Sequence, residues 1–246
     1  MIRRVSDALP PLAKQDVYGT RTIGYHNTYG TEQNDVAFYA QESGGRSTAV
    51  LSDAFGHGAL TVADGADMDE LRSFVCFSGL ETLLCAREIA QTLRFPTESI
   101  GSVMCYYGAE SKEDIAYLDS FDPEFSYRDV YALLEQCGFS LGGYDAWFGD
   151  LALRVRRGTA EIRCFVRGGT LASTASVLFR SENALYLGAV ATDPAFRGGG
   201  LAGALVRSFA QDGKRVEILC GAHRVSFYTS LGFRQNGEFA ICRFFK

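Results

Sequence analysis

A run of three glycines at 198–200 restricts the folding of this chain more than any other sequence feature. It lies within TDPAFRGGGLAGALV, residues 192–206, between a proline turn and apolar residues at helical spacing such as Leu201, Ala204 and Phe209. Glycine loses more backbone freedom on folding than any other residue, so three in a row are costly to order. A glycine loop that leads into a helix presents backbone N–H groups at the positive end of the helix dipole. The stretch therefore predicts an anion-binding site.

The composition is that of an ordinary globular protein. The 246 residues are 47% apolar and 22% charged, which allows one large or two medium domains with a substantial core. The net charge of −5 disfavours nucleic acid as a partner, because nucleic-acid binders carry a strongly basic face. No apolar run approaches the roughly 18–20 residues of a membrane helix, so no membrane association is expected.

The cysteines and the first residues indicate the compartment. Seven cysteines form no CxxC pair and lie mostly within apolar runs. This favours small buried side chains in a reducing compartment over disulfides. The start, MIRRVSDALPPLAK, lacks the apolar core of a signal peptide. We therefore expect a cytoplasmic protein.

Periodicity predicts most elements of the C-terminal part, 100–246. The expected order is a strand, a linker or long loop, two helices, a hairpin, a strand, the glycine loop with its helix, a strand, a short helix and a final strand. The first strand is expected at 100–108, the linker at 111–125, the two helices at 126–139 and 144–158, the hairpin strands at 159–169 and 170–180, and the next strand at 184–192. The glycine loop with its helix covers 192–206, followed by the strand 215–221, the short helix 222–233 and the final strand 238–245. The fold class is mixed α/β, or α+β, with a central, mostly antiparallel sheet flanked by helices. The glycine loop follows a central strand, where such sheets tend to bind ligands.

The first hundred residues predict a smaller α/β domain, 1–99. Strands at 36–41, 47–53 and 59–63 precede a helix at 66–79, and a further strand is expected at 81–86. Residues 1–33 show no sustained period and carry no assignment.

Two nucleotide-binding patterns fit the glycine run less well. GGGLAG fits the dinucleotide pattern GxGxxG, but five residues separate it from the preceding strand and no acidic residue follows at a strand end about 20 positions later. A Walker loop would need a lysine followed by serine or threonine, which are absent here. A glycine turn that only lets a helix pack closely stays open.

The whole neighbourhood resembles the GCN5-related N-acetyltransferases (the GNAT superfamily), whose phosphate loop runs Gln/Arg-x-x-Gly-x-Gly/Ala. Arg197, Gly200 and Ala202 fill its defining positions. Downstream, SFYTSLGF at 226–233 resembles the superfamily's closing Tyr-x-x-x-Gly-Phe element. The resemblance covers about 100–246. Many relatives carry an asparagine where this chain has Gly221, so an asparagine contact is not assumed.

The resemblance implies acetyl-CoA as co-substrate and no metal. Backbone N–H groups of the loop would hold the pyrophosphate without interference from a Cβ, and an arginine would add charge-assisted hydrogen bonds. The end of the preceding strand would pair with the pantetheine amides and polarise the thioester carbonyl. The implied residues are Arg197, Gly198, Gly199, Gly200, Leu201 and Ala202 in the loop, and Val190, Ala191 and Thr192 in the strand.

The implied reaction is acetyl transfer to a primary amine by direct attack, with Tyr228 as general acid. A tyrosine is protonated at neutral pH and can serve the departing thiolate. Tyr228 as a packed aromatic is the alternative. No general base is obvious: Glu161, Asp145 and Asp150 are the candidates, and a solvated carboxylate is the favoured alternative for each.

The acceptor is expected to be a small-molecule or peptide amine. The segment GFSLGGYDAWF, 138–148, would line its site with aromatic rings, or else pack the core. The N-terminal part resembles a degenerate acetyltransferase half whose loop position holds the acidic ADGADMDE, 63–70, so no cofactor is expected there. It would shape the acceptor cleft or pair with a second subunit in a homodimer. A non-catalytic acyl-CoA-binding or sensing module is the alternative function, and a scaffold whose loop binds nothing is a third.

Overall fold

The computed structural model describes residues 1–108, 125–210 and 213–244, and the predicted linker at 111–125 lies outside them except for Phe125. The described chain forms two compact units. One contains Met1–Met104, Leu219–Tyr228 and the residues from Arg234 onward, and the other contains Cys105–Ile218 and Thr229–Phe233. The predicted division into domains 1–99 and 100–246 stays a prediction.

Helices and strands follow in a mixed order. The helices are α1 Val17–Tyr29, α2 Met68–Phe77, α3 Arg87–Thr92, α4 Tyr127–Gln136, α5 Tyr144–Arg156, α6 Leu201–Phe209 and α7 Val225–Ser230. The strands are β1 Ile2–Arg4, β2 Val36–Ser43, β3 Arg46–Ala54, β4 His57–Val62, β5 Thr82–Ala86, β6 Thr97–Tyr107, β7 Glu161–Arg167, β8 Thr170–Arg180, β9 Ala184–Thr192, β10 Arg215–Cys220 and β11 Arg234–Arg243. The predicted strands and helices are all present, so the mixed α/β fold class is confirmed.

The first unit is built on a mostly antiparallel sheet. Its strand order is β1-β2-β3-β4-β5-β11-β6, with β4 and β5 parallel. The β2–β3–β4 meander packs its apolar face against α2 and α3, where Leu51, Leu60, Leu71 and Leu83 are buried. Short apolar runs separated by the glycine turns at 44–45 and 56–58 made the meander recognisable in the sequence.

The second unit contains the predicted hairpin and the glycine loop. Its strands follow the order β7-β8-β9-β10, with β9 and β10 parallel and the others antiparallel. Helices α4 and α5 cover one face, burying Val130, Leu134 and Leu151 against Ile162 and Cys164. The order of three antiparallel strands, a helix and a parallel strand thus occurs both at β2–β5 and at β7–β10.

The structure adds a helix to the unassigned N-terminal residues and shows that two cysteines are not fully buried. Residues 17–29 form α1, which the sequence did not indicate because the helix buries small and polar residues such as Gly19, Thr20 and Thr28. A Cβ at Gly19 would collide with the carbonyl of Ala13, so this glycine permits close packing. All seven cysteines are thiols, but Cys76 is exposed and Cys137 is half-buried, whereas the other five are buried as expected.

No helix within 1–108, 125–210 or 213–244 has the length and apolar character needed to span a bilayer.

Candidate functional site

The glycine loop leaves β9 through a tight turn. The Asp193 carboxylate accepts a hydrogen bond from the Ala195 N–H at 2.8 Å, and Pro194–Phe196 form one 3-10 turn. Gly198 and Gly200 then adopt left-handed backbone conformations, with φ of 83° and 76°. A Cβ built on either glycine meets no described atom within 4 Å. These two glycines therefore serve the backbone conformation of the loop, and the space beside them is open rather than filled by a packed helix.

Among the described residues, no side-chain hydrogen bond caps the N-terminus of α6. Gly200 is the N-cap residue and offers no side-chain acceptor, and the first helical hydrogen bond runs from the Ala204 N–H to the Gly200 carbonyl at 3.0 Å. The N–H groups of Leu201, Ala202 and Gly203 thus precede the first intrahelical bond at the positive end of the helix dipole. An anion placed here would take the role that a serine or aspartate N-cap usually fills.

Arg197 lies beside this loop but is directed back toward β9. Its Nε donates to the Thr192 carbonyl at 3.1 Å, and its terminal nitrogen lies 3.8 Å from the Cys137 sulfur. The Cys137 thiol donates to the same carbonyl at 3.6 Å, so the end of α4 contacts the end of β9. The Arg197 side chain is exposed and can turn toward a ligand on the loop by giving up its hydrogen bonds to the Thr192 carbonyl and the Cys137 sulfur.

A β-bulge interrupts β9 just before the loop. Thr174 pairs with Ala191 and Ser176 pairs with Gly188, so β9 advances three residues over the interval in which β8 advances two. Ala189 lies in this bulge at a φ of 50°, a left-handed conformation that costs energy for any residue with a Cβ. The bulge takes backbone groups around Val190 out of the regular ladder. The sequence GAVA gave no signal of it.

Hydrogen bonds fix the strand end that follows the bulge. The Ser173 hydroxyl donates to the Ala191 carbonyl at 2.8 Å and lies 2.9 Å from the Thr192 hydroxyl. Val190, Ala191 and Thr192 therefore lead directly from the bulge into the glycine loop. The structure brings these three residues together with Arg197 and Gly198–Ala202 within the second unit.

Tyr228 belongs to the first unit. It lies on α7 with only 6% of its surface exposed, edge-on to Phe227 at a ring distance of 5.1 Å. Burial raises the pKa of its phenol to about 12; the neighbouring Cys220 acts in the same direction and the Arg224 charge acts against it. Tyr228 is thus both a packed aromatic and a firmly protonated phenol.

The three carboxylates considered as general bases differ in their surroundings. Glu161 forms ion pairs with Arg163 at 2.7 Å and Arg180 at 2.6 Å. Asp150 forms an ion pair with Arg154 one turn later on α5. Asp145 is exposed in the first turn of that helix. Glu161 and Asp150 are thus held in ion pairs with arginines, whereas Asp145 faces solvent.

The aromatic segment forms a cluster on α4 and α5. Tyr144 stacks on Phe148 at 5.7 Å, and Trp147 meets the Tyr131 ring at 5.3 Å. The Arg128 guanidinium lies over the Tyr144 ring at 4.4 Å, so this ring face already binds a cation. Trp147 is half-buried against the helix core, whereas Phe148 is 38% exposed. The role of this cluster in acceptor binding stays a prediction.

Side chains of the protein cap the N-terminus of α2, which follows the acidic loop. The Asp67 carboxylate accepts from the Glu70 N–H at 3.0 Å, and the Gln41 side chain accepts from the Asp67 N–H at 2.9 Å. Burial alone would raise the pKa of the Glu70 carboxyl, but hydrogen bonds from the Ile2 N–H and Gln41 lower it below its usual value. This helix start thus differs from that of α6, because side chains already accept from its N–H groups. No group of three potential metal ligands occurs in the described parts of the chain.

Comparison with known proteins finds a family match within the C-terminal part. Residues 160–235 match the acetyltransferase (GNAT) domain family. This range contains β7 to β10, the glycine loop, α6 and α7. No curated protein matches the chain significantly.

Solved structures of low sequence identity share the fold. A GCN5-related N-acetyltransferase from Sphaerobacter thermophilus matches with a TM-score of 0.60 and 12% identity over 99% of this chain and 95% of its own. A tandem GNAT protein of the clavulanic acid biosynthesis pathway matches with a TM-score of 0.55 and 14% identity over 94% and 88%. A protein described as a GNAT-family acetyltransferase from Novosphingobium aromaticivorans matches with 0.51 and 18% over 89% and 95%. The resemblance to this superfamily is confirmed.

Proposed function

We propose that this chain is an N-acetyltransferase that transfers the acetyl group of acetyl-CoA to a primary amine by direct attack. The match of residues 160–235 to the acetyltransferase (GNAT) domain family supports this proposal. The acceptor is a small molecule or a peptide amino group. The glycine loop Arg197–Ala202 binds the pyrophosphate of the donor, and Val190–Thr192 bind its pantetheine arm and thioester carbonyl.

The open N-terminus of α6 is the observation that carries this proposal. Gly198 and Gly200 have left-handed backbones with no described atom where a Cβ would lie, and the helix has no side-chain cap. A chain that kept these glycines only for packing would fill that space. Backbone N–H groups at the start of α6 suit a pyrophosphate as acceptor, and Arg197, the first residue of the loop, can add a positive charge.

The residues of β9 would act on the thioester end of the donor. The bulge at Ala189 takes backbone groups out of the β8–β9 ladder. An N–H from this segment can then donate to the thioester carbonyl as negative charge develops on its oxygen. The amine nitrogen forms its bond to the carbonyl carbon, the carbon–sulfur bond breaks, and the amine proton passes to water or to a carboxylate.

Tyr228 would return a proton to the departing thiolate. Its burial keeps the phenol protonated at every physiological pH, as a proton donor requires. The raised pKa also makes it a weak acid: a difference of about 3.5 units from a thiol of pKa about 8.5 corresponds to about 5 kcal/mol against transfer. The proposed role therefore needs local stabilisation of the tyrosinate.

Turnover of acetyl-CoA against a panel of amines, polyamines, aminoglycosides and peptides tests the proposed function. Thiol release should depend on the amine, and the product should carry one added acetyl group. Tyr228→Phe keeps the ring and should retain donor binding while turnover falls by roughly 10²–10⁴-fold. Donor binding without turnover for any amine would instead favour the sensing module.

A further inference from the structure

A cleft of about 580 Å³ lies at the turn of the β2–β3 hairpin in the first unit. Three segments line it: Ser43 with residues 46–48 of the hairpin, residues 62–65 at the end of β4, and Gln15, which follows the 3-10 turn Pro11–Lys14. Small-molecule sites are usually clefts of about 300–1,000 Å³, so this one has the size to hold one small ligand. It shares no residue with the glycine loop or with β9, so the proposed donor site does not account for it.

Backbone conformation and hydrogen bonds fix the walls of this cleft. The hairpin turns at Gly44 and Gly45, which have left-handed φ values of 57° and 76°. The Ala63 N–H donates to the Thr48 carbonyl at 2.8 Å, so the chain beyond β4 stays beside the start of β3. The Thr48 hydroxyl donates to the Gln41 Oε1 at 2.9 Å, and Thr48 is buried. The cleft is therefore formed before any ligand arrives, which lowers the entropic cost of binding.

Most polar side chains of the cleft take no part in holding the fold together. In the part of the chain that the structure describes, five of these side chains form no hydrogen bond or ion pair: Gln15, Ser43, Arg46, Ser47 and Asp64. Arg87 of the same unit, by contrast, pairs with Glu238 at 2.7 Å. Arg46 and Asp64 thus bring opposite charges to one cleft without pairing with each other or with another described residue.

These two charges decide which ligands the cleft suits. An arginine guanidinium binds a carboxylate through two parallel hydrogen bonds, and an aspartate binds an ammonium group. A ligand that carries both groups satisfies both side chains, whereas a simple anion bound to Arg46 would meet repulsion from Asp64. The residues that line the cleft include no aromatic ring, which disfavours a nucleotide base. A small zwitterion therefore fits this lining better than a phosphate, a nucleotide or acetyl-CoA.

A similar cleft in the second unit separates the effect of the fold from that of the side chains. It has a volume of about 270 Å³ and lies at the β7–β8 hairpin, where Thr170, Asp129 and Asp193 contribute to its lining. Both hairpins have a Gly-Gly turn with a β-bulge next to it. Thr170 follows that turn in the second unit as Arg46 does in the first. The hairpin thus accounts for a cleft in both units, but it does not require an arginine there.

We propose that the cleft at the β2–β3 hairpin is a binding site for a free α-amino acid or a dipeptide. The Arg46 guanidinium binds the carboxylate of this ligand, and the Asp64 carboxylate binds its ammonium group. Ser43, Ser47 and Gln15 provide hydrogen bonds for a polar side chain or a peptide group. The inference does not depend on the proposed function, since the cleft contains none of the residues assigned to the donor.

Isothermal calorimetry on the full chain without acetyl-CoA tests this site, with the common amino acids and their glycyl dipeptides as probes. At least one probe should bind with a dissociation constant in the millimolar range or below. Arg46→Gln should weaken that binding by about tenfold or more, because hydrogen bonds between charged groups are lost. Arg46→Lys should keep part of the affinity. Arg4→Gln, which removes an exposed arginine from β1, is the matched control and should bind as the wild type does.

Blocked forms of the best probe separate the two contacts. Its N-acetyl form lacks the ammonium group and its amide form lacks the carboxylate, so each should bind the wild type more weakly. Asp64→Asn should weaken binding of the unmodified probe but not of the N-acetyl form. Arg46→Gln should likewise not weaken binding of the amide form. Without ligand, both variants should melt at the wild-type temperature, because the altered side chains have no partner in the described part of the chain.

Three results would overturn the inference. The first is that no amino acid or dipeptide binds. The second is that a probe binds but either Arg46→Gln or Asp64→Asn leaves its affinity unchanged, because the probe then occupies another site, such as that of the acceptor. The third is a large loss of stability in ligand-free Arg46→Gln, which would show that the arginine serves the fold. Failure of amine-dependent turnover of acetyl-CoA would contradict the proposed function instead and leave this site unaffected.

Discussion

Replacing Gly200 by aspartate or asparagine separates the effect of a negative charge in the glycine loop from the effect of an added side chain. Gly200 has φ 76° and ψ 2°, and no described atom lies within 4 Å of a Cβ at this position. Side chains other than glycine cost about 1–2 kcal/mol in this conformation, with Asn and Asp the best tolerated. Both variants should therefore fold. They have nearly the same shape and differ by one negative charge.

The size of the charge effect follows from Coulomb's law. A carboxylate about 5 Å from one phosphate charge is repelled by about 0.8–3.3 kcal/mol for effective dielectric constants between about 80 and 20. This corresponds to a loss of affinity between about fourfold and a few hundredfold for each phosphate charge. Gly200→Asp should thus bind acetyl-CoA far more weakly than Gly200→Asn.

Thermal shift measures the difference. At 100 times its dissociation constant, acetyl-CoA should stabilise the wild type by about 2.7 kcal/mol, and a hundredfold weaker site would retain only about 0.4 kcal/mol at the same concentration. For a chain of this size the wild-type shift corresponds to about 5–11 °C. Gly200→Asn should keep most of it and Gly200→Asp little. Equal stabilisation of all three proteins would refute the loop as the phosphate site, and equal loss in both variants would show that charge is not the cause.

Four further outcomes are expected. Calorimetric titration with acetyl-CoA should give one site per chain, and two sites of similar affinity would refute the proposal that the acidic loop 63–70 binds no donor. Trp147→Ala should lower the free energy of unfolding in urea by about 3 kcal/mol, because the ring packs on Tyr131; little loss of stability together with weakened acceptor use would assign it to the acceptor site instead. Ala189→Gly should stabilise the protein by up to about 1 kcal/mol by relieving the left-handed backbone, whereas a destabilised variant would argue that the bulge is unstrained. The pKa of Tyr228 is about 12 in the folded protein and near 10 in the unfolded chain, so its contribution to the free energy of unfolding is complete below pH 10 and is lost as the pH rises toward 12. The expected loss is up to about 2–3 kcal/mol, and urea unfolding of Tyr228→Phe should not show it.

Elements with strong periodicity were predictable from the sequence. The hairpin β7–β8 was indicated by its GG turn and by the alternating sequence of β7, and the meander β2–β4 by glycine turns between short apolar strands. Helix α4 was indicated by its N-cap Ser126, whose side chain accepts from the Asp129 N–H. Helix α1 was not predictable, because its buried residues are threonine, glycine and tyrosine apart from the single aliphatic residue Val17. Strand β11 begins four residues earlier than predicted, because Arg234–Gly237 are polar and lack any apolar alternation.

The candidate site was predictable only as far as its local motif. Glycines before a helix indicate an anion site from backbone physics alone, and Gly198 and Gly200 have the conformation that requires them. The bulge at Ala189 depends on the register between β8 and β9, which no local pattern specifies. The contact between Cys137 and Arg197 joins residues 60 positions apart, and it could be found only once the chain had folded.

Backbone NMR of the glycine loop tests the central claim most directly. Selective 15N-glycine labelling reports on 27 residues, among them Gly198, Gly199 and Gly200. Titration with acetyl-CoA should shift these three amide signals strongly, whereas acetyl-pantetheine, which lacks the pyrophosphate, should leave them nearly unchanged. Loop amides that stay unmoved at saturating acetyl-CoA would contradict the account, because the N–H groups before α6 would then hold no phosphate.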